Sequence, residues 1–373
     1  MEMKKLGFGS MRMPLLDSED VTSVDLEQVC RMIDAYLEQG FTYFDTAYMY
    51  HKYESERVLK KVLVERHPRE SFVLADKLPL SHIKDDSVLE DFFHEQLEKC
   101  GVEYFDYYLL HNVSKSSFKV AEKHDAFAFI NQKKAEGKVR NVGFSFHADA
   151  ETLEEVLSKH NDEVDFVQLQ LNYLDWDNDY IQSRLCYEVC RKYGKKIVVM
   201  EPVKGGLLAN VPAEVEAMMK AKNPDLSPAS WAIRFAAGLE DVFMVLSGMS
   251  NMEQLMDNTS YMKEFKPLDE EEMVVIHEAI DRIQAGTAIA CTKCRYCVEG
   301  CPKQIAIPEY FSLYNSQKLF GGKSNADGYY KNYLHKHGSA ASCIGCGKCE
   351  QICPQHLPIR ELLKDVSEVF DKE

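Results

Sequence analysis

The sequence predicts a (β/α)8 barrel of the TIM-barrel type, followed by a small, mainly helical domain that is rich in cysteine. Two observations support this fold class. From the start of the chain to about residue 265, eight short apolar runs alternate with amphipathic segments, which is the pattern of parallel strands joined by helices. Eight of the 12 cysteines then fall between residues 291 and 353, so the end of the chain has a composition of its own.

The eight apolar runs are short and rich in Val, Phe, Tyr and Leu, as buried parallel strands are. They cover residues 4–9, 41–47, 72–78, 105–111, 139–146, 166–172, 197–203 and 242–248. A doubly wound open sheet is the competing arrangement, but no Gly-x-Gly-x-x-Gly pattern follows a strand, which weakens a Rossmann interpretation. One more helix is predicted over residues 269–283. We therefore expect the barrel to span residues 1–283 and the second domain to span residues 284–373.

Charge and hydropathy exclude several classes of partner. The formal net charge is −16, and an acidic protein is repelled by phosphate backbones, so nucleic acid and anionic membranes are poor partners. No apolar run approaches the roughly 18 residues of a membrane span. The first 14 residues carry two lysines without a following apolar stretch, which differs from a secretory signal. The expected location is the cytoplasm.

The clustered cysteines repeat one spacing. Both groups read C-x2-C-x2-C-x3-C followed by proline, and their members are Cys291, Cys294, Cys297 and Cys301, then Cys343, Cys346, Cys349 and Cys353. In a reducing compartment this favours metal ligation over disulfides, and the spacing is that of bacterial ferredoxins with two [4Fe–4S] clusters. In those proteins the fourth cysteine of each run binds the other cluster, which pairs Cys353 with the first run and Cys301 with the second. Zinc is the alternative, although zinc sites more often use two short C-x2-C pairs.

Four polar residues stand at or just after the predicted ends of barrel strands, where barrel active sites form. They are Asp45, Tyr50, Lys77 and His111. A charged group that ends an apolar strand is costly unless it is paired, so Asp45 is expected to neutralise Lys77. Lys77 near Tyr50 is expected to lower the pKa of the phenol and make it a general acid near neutral pH. His111 can orient a substrate carbonyl by a hydrogen bond.

With this tetrad, the chain resembles the aldo-keto reductases, and within them the members that carry a C-terminal ferredoxin-type domain. The resemblance covers essentially the whole chain and includes an intact DTAYMY segment around Asp45 and Tyr50. It implies a (β/α)8 barrel, an extended nicotinamide cofactor (NADH or NADPH) and reversible hydride transfer between a carbonyl and an alcohol. It also implies that Tyr50 is the proton donor, that Asp45 and Lys77 tune it, and that His111 orients the carbonyl.

The resemblance is less complete at the positions that bind the cofactor in the family. Ser145 and Gln168 match the residues that hold the nicotinamide carboxamide, but Phe146 stands where many members have Asn. Met200 takes the place of an aromatic residue that stacks on the nicotinamide, and a thioether replaces stacking only in part. The remaining cofactor-binding candidates, for the pyrophosphate and the adenosine end, are Lys204, Gly205, Ser250, Gln254 and Asn258.

The adenosine end is the main departure from the family pattern. Members that prefer NADPH place Lys and Arg around the 2′-phosphate, whereas Gly248 and Gln254 stand at those positions here. A helix that begins near Ser250 still offers backbone N–H groups and the positive end of its dipole. The sequence therefore predicts no strong preference for NADPH.

Two functions from different classes remain open. The first is an oxidoreductase that acts on a small carbonyl or alcohol and whose clusters link it to a one-electron partner such as ferredoxin. The second is an iron–sulfur electron carrier or redox sensor that uses a catalytically silent barrel as a scaffold. The intact tetrad favours the first, and Phe146, Gly248 and Gln254 favour the second.

Overall fold

The eight predicted strands form a closed parallel barrel in chain order. The computed structural model describes residues 3–18, 20–85, 87–178, 181–285, 288–291, 295–320, 326–353 and 355–372. Its strands are β1 (Leu6–Gly9), β2 (Tyr43–Asp45), β3 (Val73–Leu78), β4 (Phe105–Val113), β5 (Val139–Phe146), β6 (Phe166–Gln170), β7 (Lys196–Met200) and β8 (Val242–Ser247). Each lies within or largely overlaps one predicted run, and β8 closes the barrel by pairing with β1. The predicted barrel is confirmed.

Helices follow the strands and continue into the cysteine-rich part. Those of the barrel sequence are α1 (Leu26–Glu38), α2 (Ser55–Leu59), α3 (Ser87–Cys100), α4 (Lys115–Lys123), α5 (Ala126–Ala135), α6 (Ala150–His160), α7 (Ser183–Lys192), α8 (Ala213–Lys222), α9 (Pro228–Gly238), α10 (Met252–Met262) and α11 (Glu270–Ala285). Those that follow are α12 (Tyr296–Glu299), α13 (Ile307–Phe320), α14 (Ala326–Leu334), α15 (Lys348–Gln351) and α16 (Ile359–Phe370).

Side chains that the strands direct inward fill the interior of the barrel, as the fold requires. The buried interior cluster consists of Tyr43, Ala75, Leu109, Phe166, Val198, Met244 and Leu246. Strand β5 approaches β6 so closely that a Cβ at Gly143 would lie 2.4 Å from the carbonyl oxygen of Phe166. Glycine is therefore required at this position to let the two backbones meet.

The chain divides into two compact units. The first comprises the residues up to Lys204 and the segment 229–269, and it contains all eight strands. The second comprises residues 205–228 and the chain from Glu270 onward. Within the second unit α8 and α11 pack together, and the Asn223 side chain that follows α8 donates a hydrogen bond of 2.6 Å to Glu272 of α11.

The cysteine-rich part is helical and has an apolar core of its own. Tyr310 and Phe311 of α13 pack with Tyr330 of α14 and with Leu363 and Val366 of α16, and all five are buried. The Tyr310 and Tyr330 rings lie 4.5 Å apart between centroids, within the range of favourable aromatic pairs. The predicted helical fold of this part of the chain is thus confirmed.

None of the helices that the structure describes is long and apolar enough to cross a membrane.

Candidate active site and cysteine pockets

The structure brings the predicted tetrad together at the carboxyl ends of β2, β3 and β4. Asp45 is the last residue of β2, Lys77 lies in β3 and His111 in β4, while Tyr50 follows β2 in a turn. The Nζ atom of Lys77 donates hydrogen bonds of 2.6 Å to Asp45 Oδ1 and 2.6 Å to the Thr46 carbonyl oxygen, and it lies 3.4 Å from the Tyr50 hydroxyl oxygen. One ammonium group therefore links the carboxylate to the phenol.

The Lys77–Asp45 pair is removed from solvent, because the exposed fractions of the two side chains are 0% and 4%. Burial alone would lower the pKa of Lys77, but the charges of Asp45 and Tyr50 and the hydrogen bond to Asp45 outweigh burial and raise this pKa. Lys77 is therefore a cation at neutral pH, as expected for a buried lysine that is paired with a carboxylate.

The expectation that Lys77 brings the pKa of Tyr50 below its ordinary value is wrong in this structure. Burial of the phenol raises the pKa of Tyr50, and the opposing charge of Lys77 offsets this only in part, while Asp45 raises it further. Tyr50 is therefore protonated at neutral pH. Because the Tyr50 oxygen faces the Lys77 ammonium group, the phenolic proton remains available to another acceptor.

His111 is a neutral imidazole. Burial lowers its pKa to about 3, and the positive charge of Lys77 acts in the same direction. Its ring lies edge-on to the Tyr50 ring, with centroids 6.0 Å apart. Its buried Nδ1 atom has no hydrogen-bond partner among the described residues. A neutral imidazole beside the phenol can orient a carbonyl oxygen without adding a charge.

The residues expected to hold the nicotinamide carboxamide are neighbours across two strands. Ser145 of β5 is paired in register with Gln168 of β6. The Ser145 hydroxyl oxygen accepts a hydrogen bond of 2.8 Å from the Asn112 backbone N–H, and Gln168 Nε2 lies 3.5 Å from the Met200 sulfur. Gln168 Oε1 is buried and has no partner within the described part of the chain. An unpaired buried amide oxygen is what a carboxamide N–H would satisfy, so these residues fit a nicotinamide.

The Phe146 side chain offers no hydrogen-bonding group where many family members have Asn. Its exposed fraction is 2%, and it lines a cavity of about 300 Å³ at the ends of β5 and β6, together with His147, Leu169 and Gln170. None of the tetrad residues lines this cavity.

Lys204, the predicted pyrophosphate ligand, is held by a carboxylate. Its Nζ atom lies 2.6 and 2.7 Å from the two oxygens of Asp175, whose exposed fraction is 2%. Asn172 also donates a hydrogen bond to Asp175. The charge of Lys204 is thus balanced within the protein. The following Gly205 has a φ of +64°, in the left-handed region that favours glycine.

The segment after β8 also satisfies most of its own polar groups. The helix α10 begins at Met252, two residues after Ser250, and Asn251 is its N-cap. The Gln254 side chain accepts a hydrogen bond of 2.7 Å from the Ser250 backbone N–H. Asn258 is buried, donates to Ser247 Oγ and accepts from the Tyr261 hydroxyl. Asn258 thus ties α10 to β8.

The sequence analysis missed one cation at this end of the barrel. A Cβ built on Gly248 would lie 3.1–3.3 Å from the Cβ, Cγ and Cδ atoms of Arg12. The Arg12 side chain therefore occupies the space that a side chain at position 248 would fill, and it is exposed. The two residues are distant in sequence, and only the pairing of β1 with β8 brings them together.

The cysteines of the second unit line two separate pockets. Cys301 lies with Cys343, Cys346 and Cys349 around one pocket, and Cys353 lies with Cys291 and Cys297 around the other. Cys294 lies outside the described residues. This is the arrangement that crossed ligation of two clusters predicts, because the fourth cysteine of each run faces the pocket of the other run. The thiol groups present thus fit two cubane clusters.

Comparisons with known proteins agree with the fold of the barrel and with that of the cysteine-rich part. The family model "Aldo/keto reductase family" matches residues 5–281, and the model "4Fe-4S dicluster domain" matches residues 290–357. The 9,11-endoperoxide prostaglandin H2 reductase of Trypanosoma cruzi is 26% identical over 72% of this chain and 88% of its own length. The acetyl-CoA decarbonylase/synthase complex subunit alpha 1 of Methanosarcina acetivorans is 31% identical over 78 residues, which are 21% of this chain and only 8% of that subunit.

A solved structure shows the same barrel. The aldo-keto reductase of Klebsiella pneumoniae in complex with NADPH aligns with a TM-score of 0.57 and 19% identity, over 74% of this chain and 90% of that chain. At this level of identity the likeness concerns the fold.

We expect Lys77→Met to destabilise the barrel by about 3–5 kcal/mol, because it leaves the Asp45 carboxylate buried without its counter-ion. The double variant Asp45→Asn/Lys77→Met should recover at least half of this loss, since neither charge remains. The measurement is urea unfolding followed by tryptophan fluorescence, which reports on the barrel unit because Trp176 and Trp231 both lie in it. Equal stability of the single and double variants would contradict a buried ion pair.

Proposed function

Because the chain belongs to the aldo/keto reductase family, we propose that it is an oxidoreductase that interconverts a carbonyl and an alcohol by hydride transfer with NADH or NADPH. We further propose that two [4Fe–4S] clusters link it to a one-electron partner such as ferredoxin. The observation that carries the proposal is the buried Lys77 ammonium group, which is paired with Asp45 and lies against the hydroxyl of a protonated Tyr50. An ion pair that only stabilised the barrel would not require a phenol hydroxyl next to the lysine.

The protein residues provide the proton chemistry. When bound, the nicotinamide supplies a hydride to the carbonyl carbon, and the clusters hold single electrons. Tyr50 donates its proton to the oxygen that becomes the alcohol. Lys77 then stabilises the phenolate that this transfer leaves, because its Nζ atom already faces the Tyr50 oxygen. Neutral His111 donates a hydrogen bond that orients the carbonyl, and Ser145 and Gln168 would hold the carboxamide.

The second unit supports the electron-transfer part of the proposal. Reduction of a carbonyl to an alcohol takes two electrons, whereas a cubane cluster exchanges one at a time, so the clusters suit a one-electron protein partner. The ligand set is proposed to be Cys291, Cys294, Cys297 and Cys353 for one cluster and Cys301, Cys343, Cys346 and Cys349 for the other. Thiolate ligands of this kind persist in a reducing compartment, which favours the cytoplasm.

A redox carrier or sensor with a silent barrel remains the alternative. Two observations favour it: Phe146 is buried where the family pattern has an amide, and Asp175 neutralises Lys204. A silent barrel would gain nothing from a phenol on a buried lysine, so catalysis is the better supported function.

We expect Tyr50→Phe to abolish carbonyl reduction, with a loss of at least about 10²-fold, because it removes the general acid and leaves the ring. The assay follows NADH or NADPH oxidation with 4-nitrobenzaldehyde and other small aldehydes as probes. Tyr53→Phe is the matched control, since Tyr53 lies in the same turn, is 42% exposed and has no contact with Lys77 in the described structure. Undiminished turnover in Tyr50→Phe would contradict the role of Tyr50 as the general acid, and absence of turnover in the wild type would support the carrier hypothesis.

The pH profile of carbonyl reduction should be flat through the neutral range. Tyr50 must be protonated to act as an acid, and because its pKa is raised, the protonated form persists until the pH rises above the usual range of tyrosine. His111, with a pKa of about 3, adds no ionisation near neutrality. We expect kcat/KM for reduction to be constant between about pH 6 and 9. A bell-shaped profile with an apparent pKa near 6.5 would instead indicate an ordinary histidine acid.

NADH and NADPH should bind with comparable dissociation constants, because Gly248 and Gln254 stand where NADPH-preferring members carry cations. Isothermal titration calorimetry with each nucleotide measures this directly. NADPH binding that is more than about tenfold tighter, a difference of about 1.4 kcal/mol, would contradict the prediction. Arg12→Ala would then show whether the exposed Arg12 beside Gly248 supplies the missing charge.

A further inference from the structure

The two cysteine pockets differ in their access to solvent. Around one pocket Cys346 is exposed and the neighbouring Ile344 is 60% exposed. Around the other, none of the described cysteines is exposed: Cys291 is half-buried, and Cys297 and Cys353 are 7% and 8% exposed. Because the rate of electron transfer falls steeply with distance, a cluster with an exposed ligand is the one that an external protein can reach.

The two pockets also differ in charge. Lys303, Lys348 and Arg360 line the pocket of Cys346, whereas Arg295 is the one cation among the described residues that line the other. Arg295 is ion-paired with Glu309, and Arg360 is ion-paired with Glu350 at 2.7 Å. Lys303 and Lys348 are exposed, and neither is within ion-pair distance of a carboxylate in the described part of the chain. Two uncompensated positive charges thus remain beside Cys346.

A neighbouring segment adds to this positive charge. The Nδ1 atom of His337 lies 3.0 Å from the Gln304 carbonyl oxygen, which places the 335–338 segment next to Lys303. Lys336 in that segment is exposed. The segment that contacts Gln304 therefore adds one more exposed positive charge.

The rest of the chain has the opposite sign. Residues 284–373 carry 11 basic and 9 acidic residues, a formal +2, so the net −16 of the whole chain leaves −18 on residues 1–283. An acidic protein would be repelled by the barrel sequence and attracted to the basic surface beside Cys346.

We propose that this surface, which we call the Cys346 face (Lys303, Ile344, Cys346, Lys348 and Arg360), is the docking site of an acidic one-electron carrier protein. The inference rests on the proposed function in one respect, namely that the cysteines hold clusters. Cys301, Cys343, Cys346 and Cys349 would hold the cluster that accepts one electron from the reduced carrier, so the carrier would be oxidised by one electron and the cluster reduced by one. No bond or proton is exchanged. Exposed Ile344, which lines the same pocket, supplies an apolar contact beside the charged residues.

The test is anaerobic stopped-flow reduction of the clusters, followed by their visible absorbance, with no nicotinamide present. The donor is a reduced, acidic plant-type [2Fe–2S] ferredoxin, and the comparison donor is the methyl viologen radical cation. The variant is Lys303→Glu/Lys348→Glu. The matched control is Lys318→Glu/Lys372→Glu, which changes the net charge equally, lies in the same unit and lines neither pocket.

We expect the second-order rate constant with ferredoxin at low salt to fall about tenfold or more in the Cys346-face variant and less than about twofold in the control. Raising the ionic strength should slow the wild type more than the variant. The rate with the methyl viologen radical cation should not fall in the Cys346-face variant, because the added carboxylates attract a cationic donor. The milder Lys303→Gln/Lys348→Gln variant should give an intermediate rate with ferredoxin.

Three results would overturn the proposal. Equal ferredoxin rates in the face and control variants, or no dependence on salt, would show that the carrier docks elsewhere. Parallel loss of the ferredoxin and viologen rates would show damage to the cluster itself. If the wild type contained much less iron and sulfide than two clusters require, the premise that the cysteines hold clusters would be wrong. Failure of carbonyl reduction alone would leave the docking result standing, since this assay does not use the barrel.

Discussion

The buried ammonium group of Lys77 is the constraint on which the geometry of the candidate site depends. A charge in the wall of an apolar barrel is tolerated only because Asp45 and the Thr46 carbonyl oxygen replace the water that it has lost. Both partners come from the end of β2, and the parallel register of β2 with β3, which pairs Asp45 with Ala75, brings them within reach. A slip of one residue in that register would direct Lys77 to the other face. The site is therefore as well fixed as the barrel itself.

Much of this arrangement could be predicted from the sequence, because its causes are local. Parallel strands whose two faces are both covered stand in a sequence as short apolar runs, so all eight strands could be predicted. A polar residue that ends such a run lies at the carboxyl end of the barrel strands, where barrel active sites form. Less could be said where a residue depends on a partner far along the chain. The ion pair of Lys204 with Asp175, the hydrogen bond from Asn258 of α10 to Ser247 of β8 and the packing of Arg12 across Gly248 all follow from loop geometry that leaves no periodic signal.

The pKa of Tyr50 could likewise be predicted only in part from the sequence. The sequence revealed the cation beside the phenol, and the structure confirms that contact. It could not reveal how completely the phenol is enclosed, and burial outweighs the neighbouring charge. The result alters the chemistry in a useful way. In the proposed reduction, a phenol that keeps its proton can act as the acid, and the lysine would stabilise the phenolate only once the proton has moved.

The crossed cysteines of the second unit have a topological consequence. Because Cys301 lies with the later run and Cys353 with the earlier one, the roughly 40 residues between the runs, including α13 and α14, form a loop closed at both ends. A nascent chain has the cysteines of the Cys301 pocket only once Cys349 has been made, and those of the other pocket only once Cys353 has been made. The order of synthesis thus separates the two units in time: the strands of the barrel can pair while the tail is still emerging, whereas the metal-binding part must wait for nearly the last residue that it needs.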